Sequence, residues 1–109
     1  MKNKKLAREI YEVIKNHKTR KFAKNMWTTE LDGIKVSCPF TVFLRNTGII
    51  DANISPIMYY VDSGFGLIEF FNLLTGENFQ PVIEKYDGGK NKVISRKYAL
   101  KRLRNALQI

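Results

Sequence analysis

The residues of this sequence best suited to binding chemistry are cations clustered near its C-terminal end. Five Lys or Arg side chains stand within nine residues, with no carboxylate among them: Arg96, Lys97, Lys101, Arg102 and Arg104. Like charges four positions apart destabilise a helix, and such clusters are typical contacts to nucleic-acid phosphates. The pattern predicts an anion-binding helix. The alternative is a solvated face whose cations suit the helix C-terminus.

A second basic cluster lies near the N-terminus and consists of Lys15, Lys18, Arg20, Lys21 and Lys24. Residues 1–24 carry a net charge of +7, residues 25–88 of −5, and residues 89–109 of +7. Segregated charge builds a local positive potential that attracts polyanions. We expect the two ends to form a single phosphate-binding surface if they fold onto the same side of the protein.

A glycine-bearing segment, residues 87–92, adds Lys90 and Lys92 to the predicted nucleic-acid contacts. Its glycines would let the backbone follow a phosphate chain, but the spacing of a nucleotide-binding loop is missing. The simpler interpretation is the turn of a hairpin.

Residues for catalysis are scarce, because the chain has one histidine and one cysteine. His17 falls on an apolar helical stripe, and Cys38 stands beside Pro39 with no neighbouring cation to activate it. We therefore expect no catalytic residue, metal ion or cofactor. A small metal-dependent nuclease is the enzymatic alternative, for which the carboxylates would be Asp32, Asp51, Asp62, Glu69, Glu77, Glu84 and Asp87.

Aromatic side chains make up 12% of the residues and could stack on unpaired bases. A domain this small needs most of them for its core, so burial is the favoured interpretation. The strand positions considered for stacking are Trp27, Phe40, Phe43, Tyr59 and Tyr60.

The N-terminal half of the chain predicts one long helix followed by strands. Apolar residues at a spacing of three to four, from Leu6 onward, predict a helix over residues 4–24, with a weak stretch at 16–19. Asp32-Gly33 predicts a tight hairpin turn between strands at 27–31 and 34–38. Further strands are predicted at 41–44, after Pro39, and at 49–54 and 57–61.

The C-terminal half predicts two helices around a second hairpin. Leu67, Phe70, Phe71 and Leu74 have helical spacing, with Asp62 or Ser63 able to cap ahead of them and Gly76 able to end the run. Strands at 82–86 and 92–94 would form the hairpin. Ser95 would cap a last helix over 96–107, whose apolar stripe is Leu100, Leu103 and Leu107.

Together these elements predict a single α+β domain over residues 1–109, with a small, mostly antiparallel sheet, a basic helix at each terminus and a short buried helix between. No apolar run approaches the about 18 residues of a membrane span. One cysteine permits no intramolecular disulfide, so we expect a reducing, cytoplasmic location.

The function that the sequence favours is that of a non-enzymatic accessory or regulatory protein that binds DNA or RNA through its basic terminal helices. The main alternative is an interaction or inhibitor protein that docks a basic face on an acidic protein partner. Small chains rich in Lys and Asn are common among accessory proteins of phages and mobile elements, although this is a similarity of composition only.

Overall fold

The computed structural model describes residues 2–25, 27–47 and 67–109, which contain five helices and four strands. The predicted α+β class is confirmed. In chain order the elements are α1 (Lys4–Asn16), β1 (Lys21–Ala23), β2 (Thr28–Leu31), β3 (Ile34–Ser37), α2 (Pro39–Asn46), α3 (Leu67–Thr75), α4 (Gln80–Tyr86), β4 (Val93–Ser95) and α5 (Arg96–Leu107).

The first helix is shorter than predicted, because α1 ends at Asn16 and residues 21–23 form strand β1. The helix ends at the stretch of low helix propensity. β1 pairs antiparallel with β4, Phe22 standing opposite Ile94, and Phe22 is fully buried. The second half of the predicted helix was therefore wrong, since pairing with a distant strand overrides its local apolar spacing.

The predicted Asp-Gly hairpin is confirmed. Strands β2 and β3 pair antiparallel, and Leu31 stands opposite Ile34. Both turn residues have positive φ, 53° at Asp32 and 79° at Gly33, which is the backbone of a type I′ turn.

The strand predicted at 41–44 was wrong, because these residues belong to helix α2. Pro39 occupies the start of the helix, where its missing amide costs nothing. The Cys38 side chain caps the helix, its Sγ accepting from the Thr41 amide at 3.5 Å. All six residues from Pro39 to Leu44 are buried, so no exposed face marks the helical period in the sequence.

The helix predicted around Phe71 is confirmed as α3, and it ends before Gly76, whose φ is +71°. The second hairpin was wrong, because residues 80–86 form helix α4, with Pro81 in its first turn. Strand β4 pairs with β1 instead of with this segment. The segment at 87–92 therefore connects a helix to a strand.

The last helix is confirmed, since α5 spans Arg96–Leu107 with Ser95 at its N-cap position. The Ser95 side chain makes no capping hydrogen bond. Leu103 and Leu107 are fully buried, whereas Leu100 lies half-buried at the edge of the stripe.

Aromatic rings dominate the middle of the core. The Phe71 ring centroid lies 5.8 Å from Phe40, 6.3 Å from Phe43 and 4.8 Å from Phe79. Tyr86 meets Phe40 edge-on at 5.7 Å. Such pairs add about 0.5 to 1.5 kcal/mol each beyond simple burial, so these rings help to hold α2, α3 and α4 together.

Some expectations concern residues outside the described ranges: the strands at 49–54 and 57–61, and the cap at Asp62 or Ser63. Within the described ranges, no helix combines the length and apolar character that crossing a bilayer requires.

The burial of α1 generates a first prediction. Ile10 is fully buried, so Ile10→Asp would place an unpaired charge in the core and should lower the free energy of unfolding by about 3 kcal/mol or more. Glu9→Asp at an exposed position of the same helix controls for the low helix propensity of Asp. Chemical denaturation of both variants is the measurement, and equal midpoints would contradict the packing of α1.

Candidate functional site

The exposed face of α5 carries the cations that the sequence singled out. Lys97, Lys101 and Arg104 are exposed, and at 100° per residue they lie away from the centre of the buried face, which is formed by Ala99, Leu103, Ala106 and Leu107. Lys97 and Lys101 have no hydrogen-bond or ion-pair partner within the described part of the chain. Their ammonium groups are therefore available to a ligand.

A groove with a volume of about 1250 Å³ runs along this face, and we call it the α5 groove. In the ranges 2–25, 27–47 and 67–109, no Asp or Glu side chain lines it. Polar or aromatic contributions come from Tyr11, Asn91, Tyr98 and Asn105. The cations that line the groove are Lys24, Lys97, Lys101, Arg102 and Arg104.

Tyr98 is a feature of this groove that the sequence analysis missed. Its side chain is 64% exposed on the same helix face as Lys97 and Lys101, which is unusual for an aromatic residue of a small domain. The signal was present in the helical period, because Tyr98 falls opposite the Leu103 and Leu107 stripe. The aromatic residues that the sequence analysis considered for stacking were others. Of these, Phe40 and Phe43 are buried in α2, Trp27 is half-buried, and Tyr59 and Tyr60 lie outside the described residues.

Arg96 has a structural role. Its backbone amide donates to the Arg20 carbonyl at 2.8 Å, which extends the ladder between β1 and β4. Its guanidinium donates to the carbonyl oxygens of Lys15 and His17, at the end of α1. These carbonyls have no partner inside the helix and carry the negative end of its dipole, so Arg96 caps α1 from a distant part of the chain.

Arg102 caps the C-terminal end of α4 in the same way. Its Nε donates to the Tyr86 carbonyl at 2.7 Å, and its Nη2 donates to the Asp87 carbonyl. Arg102 lines the α5 groove while holding these two carbonyl groups. Its charge reaches the groove, but its removal would also disturb the end of α4.

Lys24 is only 4% exposed, and its Nζ donates to the Gly88 carbonyl. Burial is the main cause that lowers the pKa of this ammonium group, followed by repulsion from Arg102, while Asp87 opposes both. Gly89 fits closely here, since its φ is +72° and a Cβ atom would lie 3.1 Å from Lys24 Nζ. Lys24 therefore anchors the glycine segment to the end of β1.

The remaining predicted cations are distributed over other surfaces. Lys18 and Lys21 border two smaller depressions near His17, apart from the α5 groove. Four further side chains are exposed and do not line the α5 groove: Lys15, Arg20, Lys90 and Lys92. Pairing of β1 with β4 brings the two basic ends of the chain together, yet it does not gather all of their cations into one groove.

Burial shifts the pKa of the Cys38 thiol and that of the His17 imidazole in opposite directions. Burial raises the pKa of the Cys38 thiol to about 11, and Tyr86 donates its buried hydroxyl to the Ala23 carbonyl at 2.9 Å. Burial, with repulsion from Arg96 and then Arg45, lowers the pKa of His17. Residues 2–25, 27–47 and 67–109 contain no group of three His, Cys, Asp or Glu side chains arranged to hold a metal ion.

No protein-family model, curated protein or solved structure matches this chain.

The carbonyl contacts of Arg102 generate a prediction that separates structural from free cations. Arg102→Gln removes two charge-assisted hydrogen bonds and should lower the free energy of unfolding by about 1 to 3 kcal/mol. Lys101→Gln, one position earlier and exposed, should change it by no more than about 0.5 kcal/mol. Thermal unfolding monitored by circular dichroism compares the two, and equal losses would contradict the structural role of Arg102.

Proposed function

We propose that this protein is a non-enzymatic nucleic-acid-binding domain, accessory or regulatory in role, that holds a strand along the exposed face of α5. The observation that carries the proposal is the α5 groove, which is lined by five cations and, among the described residues, by no Asp or Glu side chain. A single unpaired thiol, Cys38, suits action in a reducing compartment inside the cell.

The free cations of α5 favour a polyanion as the ligand. Lys97 and Lys101 stand one helical turn apart with like charges, a pair that costs a few tenths of a kcal/mol until an anion lies between them. A phosphate chain relieves this repulsion and releases its own condensed counterions, which supplies affinity without reading sequence. The proposed mode of binding is therefore salt-dependent and tolerant of sequence.

Tyr98 adds a reason to favour a single strand. Its exposed ring lies on the helix face that carries Lys97 and Lys101, so a strand whose phosphates reach the lysines would bring its bases near the ring. Stacking of an unpaired base on an aromatic side chain contributes about 1 to 3 kcal/mol. Paired bases in a duplex are already stacked and would gain little from this ring.

Charge reversal on the exposed face tests the groove. The variant Lys97→Glu, Lys101→Glu and Arg104→Glu should keep the fold and lose binding to single-stranded DNA and RNA of any sequence, because it replaces the phosphate contacts with repulsion. Filter binding at about 50 mM salt is the measurement. In the milder variant Lys97→Gln with Lys101→Gln, the slope of log K against log salt should fall by about 1.4 to 1.8.

A matched control carries the same change of charge away from the groove. Lys2→Glu, Lys5→Glu and Lys85→Glu alter three exposed lysines, none of which lines the groove, and this variant should retain binding. Wild-type affinity in the groove variant would contradict the proposal. Failure of the wild-type protein to bind nucleic acid at about 50 mM salt would also contradict it, and this result would favour an acidic protein partner instead.

The tyrosine is tested separately from the charges. Tyr98→Ala should weaken binding of a single-stranded oligonucleotide by about tenfold through loss of stacking and should leave duplex binding within about twofold. Tyr98→Phe keeps the ring and should behave as wild type. Fluorescence anisotropy with labelled single and double strands is the measurement, and an equal loss on both in the alanine variant would contradict a stacking role.

A further inference from the structure

A second, smaller pocket lies beside the end of α1 and is separate from the α5 groove. We call it the Lys35 pocket, and its volume is about 300 Å³, at the small end of the range for ligand sites. Its walls come from the turn after α1 and from β1, β3 and α2. The polar side chains that line it are those of His17, Thr19, Lys21, Lys35, Ser37, Arg45 and Asn46.

The fold explains why these groups converge. Side chains alternate along β3, so Lys35 and Ser37 share one face of the strand while Val36 turns into the core. Arg45 comes from the last turn of α2, and its Nη1 donates to Ser37 Oγ at 2.9 Å. This contact holds the guanidinium at the pocket wall.

The pocket is strongly positive. Lys21, Lys35 and Arg45 supply three cations, and within the described part of the chain no Asp or Glu side chain lines the pocket. Glu30 stands opposite Lys35 in the hairpin register, but it is not part of the wall. Arg45 Nε is buried without a hydrogen-bond partner among the described residues, so the protein does not fully satisfy this guanidinium.

We propose that the Lys35 pocket binds a phosphate-class oxyanion, carried either by a small phosphorylated ligand or by the backbone of a polynucleotide. Three cations with the Ser37 hydroxyl and the Asn46 amide suit a tetrahedral anion with several acceptor oxygens better than a planar carboxylate with two. The Thr19 hydroxyl is already engaged, because it donates to the Lys21 carbonyl at 3.1 Å. The proposal goes beyond the proposed function, because none of the α5 groove residues lines this pocket.

His17 provides a direct reporter, because it lines the pocket and is the one histidine of the chain. Its surroundings lower its pKa through burial and through the nearby Arg96 and Arg45. An anion in the pocket favours the imidazolium form and should raise that pKa. The other charged side chains that border the two depressions around His17 are Glu12, Lys18, Lys21 and Lys35.

The experiment follows the imidazole resonance of His17 by NMR while inorganic phosphate is added to the whole protein, with sodium chloride of equal ionic strength as the reference. We expect a saturable shift and a raised pKa with phosphate only. Lys21→Gln with Lys35→Gln should weaken the phosphate affinity by about tenfold or more. Lys5→Gln with Lys85→Gln, at exposed positions outside the pocket, should leave it unchanged.

Two further ligands identify the source of the phosphate. A mononucleotide carries a terminal phosphate, whereas an oligonucleotide without terminal phosphates offers only the backbone. If only the mononucleotide gives a saturable shift of the His17 resonance, the ligand is a small phosphorylated molecule. If the oligonucleotide also gives a saturable shift, and does so in the charge-reversed α5 variant, the pocket contacts the polynucleotide backbone. Absence of a phosphate-specific shift, or an equal shift in the Lys21 and Lys35 variant, would overturn the proposal whatever the α5 groove binds.

Discussion

The three-residue pairing of β1 with β4 is the constraint on which the rest of the structure depends. It joins two ends of the chain that each carry a net charge of +7, although their mutual repulsion opposes the contact. Burial of Phe22 and the backbone bonds that extend the ladder, from Lys24 to Lys92 and from Arg96 to Arg20, act in favour of it. Because β4 leads directly into α5, this pairing also sets where the basic helix lies.

Backbone carbonyls, rather than carboxylates, accommodate part of this positive charge. Arg96 holds the end of α1, Arg102 holds the end of α4, and Lys24 holds the glycine segment. Each cation meets the partial negative charge of backbone carbonyl groups, so the repulsion between the two ends is reduced where they meet. The cations thus divide into a set that stabilises the fold and a set, represented by Lys97 and Lys101, that has no such partner among the residues the structure describes.

The elements that the sequence predicted correctly are those whose causes lie within a few residues. Asp32-Gly33 accepts positive φ and so defines its hairpin, and Gly76 ends α3 for the same reason. The regular leucine spacing predicts α5, which begins directly after Ser95 although the Ser95 side chain makes no capping hydrogen bond. The errors fall where local signals are weak or conflict. The first six residues of α2 are all buried and show no helical period, and α4 has β-branched residues that favour a strand despite Pro81.

The sequence by itself therefore determined the α+β class, the segregation of charge to the two ends of the chain, and the exposure of Lys97, Lys101 and Arg104 on an amphipathic last helix. Only the tertiary structure decided that residues 21–23 form a strand, that Arg96 and Arg102 hold helix ends, and that Lys21 and Lys35 meet beside His17. The physical reason is the separation along the chain of the residues that interact. Helical period and turn geometry depend on residues a few positions apart, whereas strand pairing and carbonyl contacts join segments that are far apart in the chain.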